Sequence, residues 1–338
     1  MSSMQIRTVN LMRKTVKASL LMAVLSLPIA AWALEPEVQA AKDEGMRLYN
    51  IGHSTAALTY LRHAAEAGDV DAMYYMGEAE RRQHMLGLTR EAMEWYLKAA
   101  AEGDVYSMLQ LFRGGACTAG DHCPERHEDW HHAALAIAQP QAEAGDPDAM
   151  LAMFHIQRML DQPRRAGDWL ERAAEAGQPE AQTLLGNQIL DGRGWYLTNG
   201  RRLSAAETWL RRAAEQEYVP GMVALTSVLE KEGKYSELWS WGERASLLGS
   251  RIARVVHGEC LIVPERAEYC REEADPIQGW AILYAVVEET SDNTAKHILE
   301  QQHSQLSLEQ KKEAEALADR EWIGREPPLS NFPPRFGY

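Results

Sequence analysis

The residues best suited to chemistry in this sequence are two histidines four positions apart with a glutamate beside the first. His127, Glu128 and His131 match the pattern H-E-x-x-H. On a helix this pattern places two imidazoles one turn apart, with a carboxylate ready to activate zinc-bound water. The flanking segments CPER and HAALA put the pair at the start of a helix beside a cysteine loop, and no third ligand follows at a family spacing. We therefore interpret these histidines as loop residues and predict a protein without catalytic residues, bound metal or cofactor.

A structural metal is the alternative use of the same segment. Its ligands would be Cys117, Cys123, His122 and His132, which are residue types that bind zinc. Oxidation of the two cysteines to a disulfide would remove the thiolates that such a site needs. Stoichiometric zinc in the purified protein would support this alternative. The sequence contains no G-x-S-x-G, P-loop or dinucleotide fingerprint after a strand, so no motif indicates a reaction.

A short sequence motif recurs six times along the chain and predicts the fold around these residues. The copies are centred on turn positions Gly68, Gly103, Gly145, Gly177, Glu217 and Gly249. Eight residues before the turn stand Tyr60, Trp95, Ile137, Trp169, Trp209 and Trp241. Four residues after it stand Ala72, Ser107, Ala149, Ala181, Gly221 and Ala253, and eight after it stand Met76, Leu111, Met153, Leu185, Leu225 and His257. A period of roughly 30–45 residues is typical of stacked-repeat proteins.

Each repeat predicts two antiparallel helices joined by a tight turn. A bulky residue followed by small residues one turn later, as in Trp169, Ala173 and Ala174, forms one helix face that lets a neighbour approach closely. Glycine then ends the helix in the left-handed conformation, and the Asp-Val, Asp-Pro or Gln-Pro that follows suits the start of the next. Because all copies share their phase, we interpret the tryptophans as core fillers rather than as a cofactor box.

The repeat resembles a known family. The pattern A-x-x-W-L-x-x-A-A-E-x-G-x-x-x-A-x-x-x-L-G at residues 166–186, followed by the glycine-rich 191–194, is similar to the Sel1-like repeat of the tetratricopeptide superfamily. The likeness extends over residues 35–256. It implies an all-α, right-handed α-solenoid of helix-turn-helix repeats with a C-terminal helical cap. Such families bind proteins far more often than they catalyse, although a fold by itself does not determine a function.

The N-terminus has the features of a secretory signal peptide. Arg7, Arg13, Lys14 and Lys17 precede an apolar run at 18–31, which closes on Ala-Trp-Ala. An uncleaved anchor is the alternative, but a membrane span needs about 20 residues. We predict cleavage before Leu34, a periplasmic mature chain without stable membrane insertion, and three regions: signal peptide 1–33, solenoid 34–260 of about six helix pairs, and capping helices with a proline-rich tail 261–338. Met4 and Met12 are alternative translation starts that leave this prediction unchanged.

Export to the periplasm would change the net charge of the chain and would allow its cysteines to form disulfides. The formal net charge of −14 becomes −18 once the four basic residues of the leader are removed. A strongly acidic protein repels nucleic acid and anionic lipid and attracts basic partners, although solubility alone would explain the same charge. Four cysteines in two close pairs predict two disulfides in an oxidising compartment, Cys117 with Cys123 and Cys260 with Cys270.

A partner surface is predicted on the helices that start after each turn position, because these line the concave side of such stacks. Outward-facing positions on them carry Tyr75, Glu78, Gln110, His155, Gln157, Asn187 and Gln188. The loop 192–196 adds Trp195 and Tyr196, aromatics out of phase with the core set. Exposed aromatics are frequent interface hot spots. Burial of these two aromatics under their own loop is the alternative.

The C-terminal quarter departs from the repeat. Residues 277–289 predict one helix, and Ser307 to Gln310 form a capping box for a polar helix running to about Ile323. Stacks need such end caps. Prolines extend the tail 327–334, which either lies along the stack, burying Phe332 and Phe336, or hangs free as a peptide ligand; we predict the former.

Architecture, compartment and charge together suggest a function. Periplasmic Sel1-like proteins of this size resemble immunity proteins paired with phospholipase effectors of the bacterial type VI secretion system. This resemblance implies a protein partner, a secreted phospholipase with a basic cleft that an acidic solenoid would cover. The alternatives are a general periplasmic scaffold for envelope complexes and an enzyme built on the repeat.

Overall fold

This computed structural model describes residues 34–84, 87–113, 129–270 and 273–336. Consecutive α-helices make up most of these ranges. Those ranges contain sixteen α-helices, and their one β-type pairing is an isolated bridge between Ser250 and Ser330. The described residues from 38 onward form one compact unit, and of the segment before it only residues 34–37 are described. No helix within the described ranges is both long and apolar enough to cross a membrane.

The helices are numbered in chain order. Their bounds are α1 Pro36–Asn50, α2 Ser54–Glu66, α3 Val70–Gln83, α4 Arg90–Ala101, α5 Val105–Phe112, α6 Trp130–Glu143, α7 Pro147–Met159, α8 Pro163–Glu175, α9 Pro179–Leu190, α10 Asn199–Glu215, α11 Val219–Lys231, α12 Tyr235–Leu247, α13 Arg251–Ile262, α14 Pro276–Thr290, α15 Asn293–Gln301 and α16 Leu308–Glu321.

The turn at each repeat has the predicted backbone conformation. All five glycines at the turn positions have positive φ, from 85° at Gly249 to 104° at Gly145, and Glu217 adopts φ 62° in the place of glycine. At the first turn, the Gly68 N–H bonds the Ala65 carbonyl and the Asp69 N–H bonds that of Ala64. These bonds satisfy the last carbonyls of a helix, which otherwise lack intrahelical partners.

The residue after each turn position starts the next helix. Asp69, Asp104, Asp146, Gln178 and Ser250 are N-caps whose side chains accept a hydrogen bond from the backbone N–H three residues later. Such a cap typically contributes about 1 kcal/mol to helix stability. The prolines of α7, α9 and α11 lie in the first turn, where a missing N–H costs nothing. Several carboxylates are thereby concentrated at the N-terminal ends of these helices.

Consecutive helices pack on one another along the chain, from α2 on α3 to α13 on α14. The small positions after each turn are buried, as are five of the six large positions eight residues after it, His257 being half-buried. One apolar cluster runs from Tyr74 in α3 to Ala206 in α10, and a second continues from α10 into α13. The chain is therefore an all-α solenoid of helix-turn-helix repeats, as the sequence predicts.

The tryptophan positions correct one expectation. Trp95 is buried, but Trp169, Trp209 and Trp241 are only half-buried and Tyr60 is exposed. The guanidinium of Arg172 lies 3.9 Å from the Trp169 ring centroid, and equivalent arginines cover the other two half-buried rings. The alanines one turn later occupy the core instead. Each half-buried ring therefore lies at the edge of the core, with the guanidinium of an arginine over it.

The C-terminal helices extend the stack. α14 packs on α13, α16 packs on α14, and the predicted capping box of Ser307 and Gln310 is present. α15, capped by Asp292, was not predicted. The boundary placed after residue 260 stays a prediction.

Candidate partner-binding groove

The C-terminal tail lies along the helix row, as predicted. The Arg251 N–H donates to the Ser330 carbonyl at 3.1 Å, the Ser330 N–H to the Gly249 carbonyl at 2.9 Å, and the Asn331 N–H to the Asn50 carbonyl at 3.0 Å. Leu329 belongs to an apolar cluster that also contains residues of α1 and α14. The tail therefore joins the first helix to the far end of the stack.

Gly249 allows the tail to approach this closely. A Cβ at that position would collide with the backbone carbonyl of Pro328, and its φ of 85° already disfavours other residues. The same glycine thus ends α12 and receives the tail.

Arg335 anchors the tail electrostatically. Its guanidinium donates to Asp71 at 2.7 Å and to Asp104 at 2.8 Å, and its carbonyl accepts from the Tyr74 hydroxyl. Burial by itself would lower the pKa of Arg335, but the carboxylates of Asp104 and Asp71 outweigh it and raise that pKa. The ring of Tyr106 lies 5.3 Å from the guanidinium. One arginine thus bridges α3 and the N-cap of α5.

Phe336 enters an aromatic site next to this pair. Its side chain is buried, and its ring centroid lies 5.9 Å from that of Tyr106 and 5.0 Å from that of His155. Phe332 is half-buried. Arginine and phenylalanine at consecutive positions are therefore held by an acidic pair and by an aromatic site.

A groove borders the described part of the tail, and we define it by five residues: Tyr75, Tyr106, His155, Glu180 and Tyr218. Glu180 borders two cavities of about 540 and 530 Å³ that both reach Pro334. Tyr75 and Tyr218 line the first cavity, and His155 lines the second. Tail residues up to Phe336 therefore form part of the wall of both cavities.

Glu180 is a half-buried carboxylate of this groove, whose cavities are also lined by Arg113, Arg158 and Arg335. Burial raises the pKa of its carboxyl to about 7, and the nearby carboxylate of Asp148 adds to the effect. No ion pair joins either residue to a cation within the described ranges; Asp148 accepts only a 3.4 Å hydrogen bond from Gln178. The two carboxylates occupy the same position in α7 and α9 that Asp71 occupies in α3, three residues after the turn.

His155 is a second polar group without compensation. It is 5% exposed, and burial, followed by the charge of Arg158, lowers the pKa of its imidazole to about 3. Its Nε2 has no hydrogen-bond partner in the described part of the chain. A neutral imidazole therefore lines the cavity with one nitrogen unused.

Four residues predicted to face outward are buried instead: Glu78, Gln110, His155 and Gln157. Glu78 accepts hydrogen bonds from Tyr96 at 2.7 Å and Gln110 at 2.5 Å, and its other oxygen pairs with Arg81 at 3.0 Å. This network joins α3, α4 and α5 inside the stack. The outward prediction was wrong because helical periodicity does not distinguish a solvated polar residue from one with buried partners.

The remaining predicted residues divide into two groups. Tyr75, Asn187 and Gln188 are half-buried; Tyr75 lines the groove, and Gln188 accepts a hydrogen bond from Arg193 at 2.7 Å. In the loop before α10, Trp195 is 81% exposed, whereas Tyr196 is half-buried 5.4 Å from the guanidinium of Arg202. The two aromatics thus differ: one is free for contact and the other packs within its loop. Their binding role stays a prediction.

The cysteines and the histidine motif are described only in part. The predicted disulfide between Cys260 and Cys270 is present. Cys117, Cys123, His122, His127 and Glu128 lie outside the described residues. Within the described ranges no three His, Cys, Asp or Glu side chains form a cluster that would hold a metal ion.

From sequence, the charged residues around the tail receive no binding role. Asp104 is assigned only to a helix start, Asp71, Asp148 and Glu180 to no role of their own, and Arg335 only to the C-terminal tail region. A usable signal was present: acidic residues recur within three positions of four turns, and a single arginine stands between proline and phenylalanine in the tail.

Comparisons with known proteins found likeness to solved structures. No protein-family model and no curated protein matches the chain. A protective antigen of uropathogenic Escherichia coli with an SLR fold aligns over 84% of this chain and 61% of its own, with 18% identity and TM-score 0.47. A Sel1 repeat protein from Oxalobacter formigenes aligns over 83% of this chain and 88% of its own, with 20% identity and TM-score 0.40. The present chain thus spans less than two thirds of the first of these proteins.

Proposed function

We propose that this chain is a protein-binding solenoid of the periplasm, and that its groove receives a segment of a partner protein. The observation that carries the proposal is the tail, an extended polypeptide held in the groove through Ser330, Asn331, Arg335 and Phe336. The groove thus offers backbone groups, carboxylates and aromatic rings to an extended chain. These are the contacts through which proteins commonly recognise peptides.

The unfilled part of the groove supports an external partner. Its two cavities, of about 540 and 530 Å³, are both bordered by Glu180, and the second is also lined by Arg113, Arg158 and His155, whose Nε2 has no hydrogen-bond partner within the described ranges. Buried polar groups without partners cost free energy, so a ligand that supplied those partners would gain affinity.

We further propose that the partner is a type VI secretion phospholipase effector and that the chain is its immunity protein. A leader with four basic residues and no acidic one supports export to the periplasm. An enzyme that holds an anionic phosphodiester tends to have a basic cleft, which an acidic groove would complement. Opposite charges accelerate encounter and favour the correct partner.

Competition between sibling strains tests the immunity function. A strain that lacks this gene is expected to be killed by siblings armed with the lipase, and periplasmic expression of residues 34–338 should restore survival. Expression of the same residues without a leader is the matched control and should not protect. Equal survival of the deletion strain and its parent would refute immunity.

Partner capture tests the broader binding function. Tagged mature chain is expected to retain one dominant protein from periplasmic extract at equal stoichiometry, and this protein should have phospholipase activity that the mature chain inhibits. Several envelope proteins captured together, without a lipase, would favour a general scaffold. Hydrolysis of an envelope substrate by the metal-free chain at enzyme-like rates would contradict a purely binding role.

A further inference from the structure

The loop between α9 and α10, residues 191–198, is fixed at its base by two arginines. The Arg193 guanidinium donates to the Glu171 carboxylate of α8 at 2.6 Å. The Arg202 guanidinium donates to the Ile189 carbonyl of α9 at 3.2 Å and lies 5.4 Å from the ring centroid of Tyr196. The conformation of this loop is therefore set by contacts with three helices.

Two apolar side chains project from the fixed loop, one on each side of Tyr196. Trp195 is 81% exposed and Leu197 is 63% exposed, whereas Tyr196 is half-buried. Trp195 is the most exposed large apolar side chain in the described ranges. Single exposed apolar residues are common, but two large ones together on one loop are typical of a surface that contacts something else.

The surroundings of these two side chains are basic, in contrast to the chain as a whole. Residues 191–202 contain three arginines and one acidic residue, a formal charge of +2, in a chain of net charge −14. Arg201 is exposed in the first turn of α10. Arg164 and Arg165 are exposed in the first turn of α8, one helical turn before Gly167, whose carbonyl accepts a hydrogen bond from Arg193.

These arginines are available to an external anion. None of Arg164, Arg165 and Arg201 takes part in an ion pair within the described ranges, whereas Glu171 is already paired with Arg193. Six arginines of residues 161–172 and 191–202 outnumber the acidic residues of the same two stretches, which are Asp161, Asp168, Glu171 and Asp191. The loop therefore suits an anionic surface, while the groove beside Asp71 and Asp104 suits a basic one.

A lipid bilayer fits this combination better than an acidic protein does. Lipid phosphates accept paired hydrogen bonds from guanidinium groups, and the zone below the headgroups accepts an indole ring and a leucine. A protein partner would need a pocket shaped to a side chain that protrudes as far as Trp195, whereas lipid adapts to any shape. Carboxylates elsewhere on the chain oppose approach only weakly, because charges are screened beyond about 8 Å at physiological ionic strength.

We propose that the loop 191–198 binds reversibly to an anionic bilayer surface. Trp195 and Leu197 enter the interface between headgroups and acyl chains, and Arg164, Arg165 and Arg201 contact lipid phosphates. The contact is peripheral, since one short loop buries too little apolar surface for stable insertion. This inference goes beyond the proposed protein-binding function, because it needs no protein partner.

Flotation of residues 34–338 with lipid vesicles tests the proposal. Vesicles of phosphatidylethanolamine with about one third phosphatidylglycerol are expected to carry the chain upwards in a density gradient at about 0.1 M salt. Trp195→Ala should lower the partition coefficient roughly 10-fold, through loss of one large apolar contact. Arg201→Gln should lower it about 5-fold, through loss of one cation near an anionic surface.

Matched variants on another helix control for general effects of exposed residues. Leu308→Ala and Arg320→Gln change an exposed leucine and an exposed arginine of α16, which packs on α14, and both should leave flotation unchanged. Equal weakening by these controls and by the loop variants would overturn the proposal. Equal flotation with vesicles of phosphatidylcholine alone would overturn the role of the arginines, and with it the anionic surface.

Two further outcomes would also overturn it. One is the absence of flotation at up to about 1 mM anionic lipid. The other is loss of partner capture by Trp195→Ala with unchanged flotation, which would assign the loop to a protein partner instead. The vesicle experiment contains no partner protein, so its failure leaves the proposed function intact. Urea denaturation of each variant confirms that a loss of flotation does not come from unfolding.

Discussion

The two ends of the groove contain the same kind of acidic pair in opposite electrostatic states. At one end Arg335 lies between Asp71 and Asp104, whose carboxylates raise the pKa of its guanidinium. At the other end Glu180 forms no ion pair within the described ranges, and burial together with the carboxylate of Asp148 raises its pKa to about 7. A helix N-terminus favours a carboxylate at both ends. What differs is Arg335, which pairs with Asp71 and Asp104 but with neither Asp148 nor Glu180.

The difference is that the first carboxylate pair shares a cation of the same molecule, whereas the second forms no ion pair within the described ranges. The first pair stabilises the native chain because its cation belongs to the same molecule. The second pair leaves a charge in a partly enclosed place, where it costs free energy until a ligand compensates it. Proteins often retain such unfavourable arrangements at functional sites.

Removing the cation from the first pair should have the largest effect on stability. Arg335→Ala leaves the nearly buried carboxylate of Asp104 without its partner, so we expect the free energy of unfolding to fall by about 2–3 kcal/mol. Urea denaturation measures the change, and chymotrypsin should cut the released tail faster after Phe336. Arg320→Ala, in an exposed pair with Glu321, is the control and should change stability by less than about 0.5 kcal/mol. Equal effects of the two variants would mean that the first pair does not hold the tail.

Removing the charge from the second pair should stabilise the chain. Because the pKa of Glu180 rises from 4.5 to about 7 on folding, the folded state takes up a proton between these values and loses stability as pH rises through them. Glu180→Gln should therefore exceed the parent by roughly 2 kcal/mol at pH 8, a figure reduced for partial exposure, with little difference at pH 4.5. Urea denaturation at both pH values tests this, with Glu175→Gln as the pH-independent control. A destabilised variant at pH 8 would show that Glu180 is already compensated.

His155 should give the opposite dependence on pH. Its pKa falls from 6.5 to about 3 on folding, so the unfolded chain binds the proton first and stability decreases as pH falls through that interval. At pH 5 the cost should be about 2 kcal/mol. His155→Leu should remove this part of the acid sensitivity in thermal melts between pH 5 and 7. His63→Gln, at an exposed position, should retain it.

The turn that receives the tail should be more sensitive than a similar turn elsewhere. Gly249→Ala and Gly233→Ala both place alanine at positive φ, but only at Gly249 would the new methyl group collide with the tail carbonyl of Pro328. We expect Gly249→Ala to cost about 1 kcal/mol more than Gly233→Ala in urea denaturation. Equal costs would indicate that the tail is not held at this turn.

A residue outside both pairs should have the smallest effect on stability. Trp195→Ala should change the free energy of unfolding by less than about 0.5 kcal/mol, because the side chain is 81% exposed. Weaker capture of the partner by this variant would extend the binding surface beyond the groove. Unchanged capture would leave Trp195 outside the binding surface.

Regular features of the fold were predictable from local sequence. Glycine at five turns, caps such as Asp69 and small residues such as Ala72 act within one or two helical turns, so their effect appears in the sequence pattern itself. The half-buried tryptophans were harder to predict. The alanines one turn after each tryptophan take the core positions, and a cation such as the Arg172 guanidinium covers the ring instead of core residues. Burial of Glu78 depended on Tyr96 and Gln110, which lie on other helices.

By itself, the sequence determined the helix pairs and their turns, because glycine, cap and proline preferences are properties of a few neighbouring residues. Only the tertiary structure decided which carboxylates the tail neutralises. Arg335 lies 264 and 231 positions from Asp71 and Asp104 along the chain. Ion pairing depends on distance in space, and the stacking of the helices brings these groups together, whereas no ion pair within the described ranges involves Asp148 or Glu180.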